Sequence, residues 1–324
     1  MSGTTYPKTM TAADAQVLTD VRSSSERLAS TSARLAAGSF PRLANLGLLG
    51  ALAGGWTGYG FNLIWRPHFP AAERDHFLQL NLTKETLDVR PIGGPIPNRG
   101  LIEPDITLFG MHYLQQISDN SFPPPQGGGG LHLEPGVWLT VPTNVETPAS
   151  DPSAVRMGTI PHGTTILAQG TAFKVPGPPV ITPVSIVPFP IDHPDSPFPF
   201  PTSKLGTPSP FRTDPLPAGI TQPLVDDPNS FLADANASNV ALGWNFVETT
   251  VVVVASKPDG GTDNIPFLAP NADASDVTAT FWVSLLENAT GEQFVQLQYT
   301  QTVLLNFASL SWPHVTVGSL VLTA

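Results

Sequence analysis

An all-β fold, a single antiparallel barrel of about ten strands, is what this sequence predicts, and three observations carry the prediction. The 324 residues include 36 Pro and 28 Gly but only 13% charged residues, which calls for many turns, few long helices and a sizeable apolar core. Runs such as FLQLNLT (77–83) and FVQLQYTQT (294–302) alternate apolar and polar residues, the mark of strands with two unlike faces. Runs of this kind recur to the end of the chain with turn residues between them, and a barrel of this size forms one domain. The expected organisation is a helical segment over 1–53 and a barrel domain over 54–324.

Taken in order, residues 11–37 place Val17, Val21, Leu28 and Leu35 at helical spacing with Gly38 as a stop, so one amphipathic helix is expected there. A second helical stretch, 41–52, runs into GGWTGYGFNLIWRP (54–67), where glycines and aromatics interleave as in a first barrel strand that must bend. Further strands are expected over 76–90, 105–119, 130–142, 154–160, 163–174, 240–256, 276–287, 292–307 and 312–323. SFPPPQGGGG (121–130) reads as a loop between strands. The segment 175–234 holds sixteen of the 36 prolines, which cannot donate regular ladder bonds. It is expected as an extended excursion over the barrel, at one mouth, held down by Phe189, Phe198, Phe200 and Phe211.

The net charge of −11, with no cluster of Lys and Arg, argues against nucleic acid and anionic membrane as partners. The absence of cysteine removes disulfides, thiolate catalysis and thiolate metal sites. The first residues carry no signal-like pattern and LGLLGALAGG (46–55) is too short to span a bilayer, so a cytoplasmic protein is expected. In that setting the N-x-S/T triplets at Asn81, Asn236 and Asn288 are chance. No G-x-S-x-G elbow, P-loop or H-E-x-x-H motif occurs, which leaves a small-molecule ligand as the expected partner. Whether the protein forms a homo-oligomer stays open.

Seven histidines then carry most of the available chemistry. His314 lies in a strand whose alternation groups it with Trp312, Thr316 and Gly318, and sets Pro313, Val315 and Val317, with Leu320 near them, on the other face. The small neighbours leave room beside its ring; the alternative is a buried histidine satisfied by Thr316 or a backbone group. His132 and Glu134, two apart, point the same way, either as a carboxylate steering an imidazole or as a structural pair near a strand end. Trp56 and Trp138 suit barrel core. His112 shares a strand face with Leu108, Gly110 and Leu114, and belongs to the site only if that face is inward. His162 sits in a turn that either faces solvent or reaches over a mouth.

Four segments, LGLLGALAGGWTGYGFNLIWRP, MHYLQQ (111–116), GLHLEPGVWL (130–139) and WPHVTVGSL (312–320), resemble in the same order the motifs of the nitrobindin-like haem-binding β-barrels, within the calycin and lipocalin-like group. The resemblance implies haem b, with His314 as the iron's axial ligand and Trp56, His132, Trp138, His162, Trp312 and His314 around the cofactor. His112 is the distal candidate if its strand face is inward, and His112 or Glu134 is the catalytic acid/base residue if the barrel is an isomerase or cyclase. The resemblance also implies an open iron site handling a peroxide, nitric oxide or peroxynitrite, as a peroxidase or isomerase does. The N-terminal helix and the 175–234 excursion have no counterpart in that family. The other readings are a haem-free lipocalin-like carrier and a barrel-pocket isomerase or cyclase for an apolar molecule.

Overall fold

The computed structural model describes residues 43–69, 75–123, 127–143 and 153–323; the helix expected over 11–37 lies outside them. The strands are β1 (Gly54–Pro67), β2 (His76–Pro91), β3 (Ile96–Asn98), β4 (Ile106–Asp119), β5 (Gly130–Val141), β6 (Ser153–Thr159), β7 (Thr164–Pro176), β8 (Phe189–Pro190), β9 (Trp244–Ala255), β10 (Gly261–Asn264), β11 (Asp273–Asn288), β12 (Gln293–Phe307) and β13 (Leu310–Leu322). Ten of them follow one another as antiparallel neighbours, β1, β2, β4, β5, β6, β7, β9, β11, β12 and β13. β13 pairs back onto β1 from Trp56 opposite Leu322 to Leu63 opposite Val315, so the sheet closes. Closure leaves the long strands no free edge, the usual liability of an antiparallel sheet. The short β3, β8 and β10 add to β4, β13 and β7.

Alternation decides what fills the barrel. On β1 the inward residues are Trp56, Gly58, Gly60, Asn62 and Ile64, while Phe61, Leu63 and Trp65 face out and are still fully buried. At one end Leu46, Leu49 and Leu52, from a 3₁₀ helix over Ala44–Leu52, plug the mouth against Trp56, Leu87, Phe294 and Leu320. That helix is the one expected over 41–52. Gly47 within it, at φ 53°, supplies a left-handed kink that side chains resist.

The proline-rich excursion packs on the outer wall, and its Phe200 also stacks on Trp312 near the start of β13, with ring centroids 4.9 Å apart. Ile186, Ile220, Leu224, Val225 and Leu232 join the outward Phe61, Leu63, Trp65, Val315 and Val317 in one apolar cluster. The Trp65 indole N–H donates to the Ile186 carbonyl at 2.9 Å. The Phe211–Thr213 stretch bonds to Leu78 on the part of β2 that β4 does not reach. Two helices also form in this region, α1 (Gln222–Asp226) and α2 (Ser230–Ala241), and α2 docks on β12 through Asn239 to Gln296 and through Gln298 to the Leu232 carbonyl. The strand expected to begin at 240 therefore begins at Trp244, after Gly243 closes the helix at φ 88°. Of the four phenylalanines expected to hold the excursion down, Phe198 remains 53% exposed and the other three are partly covered.

Candidate functional site

Inward-facing polar residues gather in the half of the barrel away from the plugged mouth. They surround a cavity of about 130 Å³ whose wall combines Ile64, Ile117, Ile160, Leu268, Val303 and Leu305 with His132, His162, His314, Gln115, Tyr299, Gln301 and Thr316. Three histidines from β5, the β6–β7 turn and β13 thus meet at one space. His132 and His162 touch edge to face, with ring centroids 5.5 Å apart.

Behind His132 stands a chain of buried ionic contacts. His132 Nε2 lies 3.2 Å from Glu134 Oε2, and Glu134 Oε1 accepts from Arg156 Nη2 at 2.8 Å and from the Tyr113 hydroxyl. Arg156 also donates to the Tyr113 oxygen at 3.1 Å and to Gln301 Oε1 at 2.6 Å. Its guanidinium lies over the rings of Phe281, Tyr113 and Trp138, at 5.3, 5.7 and 5.8 Å from their centroids. Burial alone would raise the Glu134 carboxyl, but Arg156, His132 and Tyr113 outweigh it and hold the group down at about 2. Glu134 is therefore a carboxylate at any ordinary pH, and His132 Nε2–H donates to it.

A second carboxylate, Glu85, has no cation beside it. Gln115 Nε2 donates to its Oε1 at 2.7 Å and the Tyr299 hydroxyl to its Oε2 at 2.6 Å. Burial dominates here and pushes the group up to about 7. Two inward glycines make these contacts sterically feasible: a Cβ on Gly158 would strike Glu134 Oε1 and the Tyr113 hydroxyl, and one on Gly318 would stand 2.5 Å from the Tyr299 ring and 3.1 Å from Glu85 Oε2. The Tyr299 ring cannot yield while its hydroxyl is held, so Gly318→Ala is expected to cost about 1–3 kcal/mol in a denaturant titration; unchanged stability would show a freely moving ring.

His314 is neutral throughout: burial, reinforced by His132 and His162, lowers it to about 3. Its Nε2 lies 2.8 Å from Asn62 Oδ1, which also accepts from the Thr316 hydroxyl at 2.9 Å. An amide oxygen only accepts, so Nε2 carries the proton and Nδ1 keeps a bare lone pair. Strand parity runs unbroken along β13, which puts Leu320 on the inner face with His314 and not opposite it.

The structure brings together His132, His162 and His314, with Glu134 directly behind them. It places the other candidates elsewhere. Trp56 is core at the plugged mouth, its indole donating to the Leu52 carbonyl at 2.9 Å. Trp138 belongs to the aromatic layer around Arg156, and Trp312 stacks on Phe307 at 4.8 Å and 8°. His112 faces outward and is exposed. Glu85, Asn62, Tyr113, Gln115, Arg156, Tyr299 and Gln301 escape sequence reasoning, although each is a polar residue on the inward parity of an apolar strand, and that parity is a readable signal.

The residues around His314 do not fit a porphyrin. The cavity is far below the roughly 300–1,000 Å³ of pockets for even drug-sized ligands, and the ring nitrogen Nε2 is committed to Asn62. A wider cavity of about 990 Å³ opens at the plugged mouth, between the 3₁₀ helix, Trp56, Phe294 and the Lys174–Glu248 ion pair, but no histidine reaches it. Among the described residues no three His, Cys, Asp or Glu side chains converge as a metal site, and no helix is long and apolar enough to cross a membrane. No protein-family model matches the chain, and no curated protein matches it.

Proposed function

We propose that the barrel is a small-molecule enzyme that moves a proton by general-base catalysis, the chemistry of an isomerase or cyclase. The observation that carries this reading is the His132–Glu134 pair, anchored by Arg156 and Tyr113, at the wall of a mostly apolar cavity. With Nε2–H directed at the carboxylate, Nδ1 is the position through which the His132 ring exchanges a proton with a bound molecule, and Glu134 stabilises the imidazolium. Return of that proton to another atom of the bound molecule completes an isomerisation. Glu85 changes protonation near neutrality, and when protonated it donates to the Tyr299 oxygen, which frees the Tyr299 hydroxyl to act as the acid. The resemblance to nitrobindin-like proteins bears on the barrel; its haem chemistry is not taken up, because the cavity is too small.

The test is exchange of carbon-bound hydrogen into D₂O for small cyclic hydroxyketones, followed by NMR. Wild-type protein is expected to accelerate exchange, and His132→Gln to slow it by about 10²–10⁴-fold with the fold intact, the usual contribution of one acid–base group. Equal rates in the two proteins would rule the assignment out. The wide cavity at the plugged mouth supports a second reading, a carrier of a larger apolar molecule, for which saturable binding without any exchange activity is the expected behaviour.

A further inference from the structure

A count of hydrogen-bonding capacity around the small cavity says what it can accept. Donors in the wall are mostly spent within it. His314 Nε2–H and the Thr316 hydroxyl go to Asn62, His132 Nε2–H goes to Glu134, and the Tyr299 hydroxyl and one N–H of Gln115 Nε2 go to Glu85, which leaves the second Gln115 N–H able to donate. Acceptors are left over: Nδ1 of His314 and Oε1 of Gln115 make no hydrogen bond among the described residues, as the donor assignments above leave them. Gln301 is the counter-case, because Arg156 takes its Oε1 and its Nε2 remains able to donate. His162 contributes one donor and one acceptor in either neutral form. Arg156, the buried arginine beside the cavity, is consumed by Glu134, Tyr113 and Gln301.

We infer that the cavity selects a small, neutral ring bearing a hydroxyl hydrogen-bond donor, the phenol class of ligand. Volume sets the ring: a cavity of about 150 Å³ lined by apolar side chains takes up benzene, and this one measures about 130 Å³. The bare Nδ1 of His314 requires a donor, because a ligand without one leaves that lone pair unmet, and a hydroxyl can also accept from the free amide N–H groups of Gln115 and Gln301. The absence of a spare cation excludes carboxylates and phosphates. This inference rests on the cavity being the ligand site, as the proposed function has it, but not on catalysis there.

The experiment is calorimetric titration at pH 8, where Glu85 is ionised and holds the Tyr299 hydroxyl, with phenol, its near-isostere toluene, and benzoate. Phenol is expected to bind at least about tenfold tighter than toluene, the effect of one well-made hydrogen bond, and benzoate not at all. His314→Leu is expected to narrow the preference for phenol, with folding checked by circular dichroism. Independently of any variant, the ¹⁵N resonance of His314 Nδ1 is expected to move on adding phenol and to stay on adding toluene. Toluene binding as tightly as phenol, or benzoate binding tighter, overturns the inference while leaving the exchange assay to decide the catalytic reading. Selective phenol binding without exchange activity upholds the inference and sinks that reading; no binding by any of the three overturns the inference.

Discussion

Arg156→Met is expected to destabilise the barrel by about 3–5 kcal/mol, because it leaves Glu134 charged and buried without a counter-charge. Glu134 is 0% exposed and Arg156 2%, so water cannot take over either partner's role. The variant Glu134→Leu/Arg156→Met removes both charges and is expected to recover most of the loss, since a well-packed apolar pair is often no less stable than a buried ion pair. Chemical denaturation of the two variants beside the wild type measures this. Equal losses in the single and double variants would mean that packing around the Arg156 stem, against Phe281, Tyr113 and Trp138, and not charge, sets the cost.

Glu85→Gln is expected to match the wild type in stability near pH 4.5 and to exceed it by on the order of 3 kcal/mol at pH 8. The sign follows from the direction of the shift. Burial raises the folded group from 4.5 to about 7, so the folded state holds the proton more tightly. That advantage is fully present below the unfolded value and is lost as the pH rises through the folded one. Glutamine keeps the neutral state at every pH and removes the loss. Glu134 titrates outside this window, since its stabilising effect disappears only as the pH falls towards about 2. His314 and His162, both lowered on folding, add a stability change of opposite sign over part of the same window as their unfolded forms take up protons, so the difference between the two proteins is the quantity to measure. A difference that does not vary with pH would show Glu85 ionised at its ordinary value.

The barrel was legible because alternation is a local property. Each pair of neighbouring residues in FVQLQYTQT states which side it prefers, and closure follows from ten such strands with matching lengths. The excursion was legible in its composition but not in its place. Proline content says that 175–234 cannot be a central strand, while the surface it covers depends on the outward Phe61, Leu63 and Val317, whose apolar character on the solvent side of β1 and β13 was the available clue. The helix α2 was missed because SFLADANASNVA carries too little apolar periodicity to stand out; its docking rests on Asn239, Gln298 and Leu232.

The site was legible where its residues are adjacent and illegible where they converge from afar. His132 and Glu134 sit two apart on one strand, so their shared direction is written in the spacing. Arg156 and Gln301 meet across 145 positions, and Tyr299 and Glu85 across 214, distances over which parity gives the face of the sheet but not the partner. Aromatic content misled in a consistent way: Trp56, Trp138 and Trp312 fill the barrel ends and layers, leaving the cavity itself to histidines and aliphatic residues.

Closure through β1 and β13 also bears on how the chain reaches this state. The seam joins positions as far apart as Gly55 and Thr323, 268 residues, so it cannot nucleate folding and must await nearly every other strand. Until then β1 and β13 are two long open edges, each rich in outward apolar residues, in a chain long enough to populate intermediates. The excursion lies over both strands, through Ile186 on Trp65 and the cluster containing Val315 and Val317, and so acts as a latch across the last joint to form. Slow refolding with a concentration-dependent yield is the kinetic signature of that arrangement.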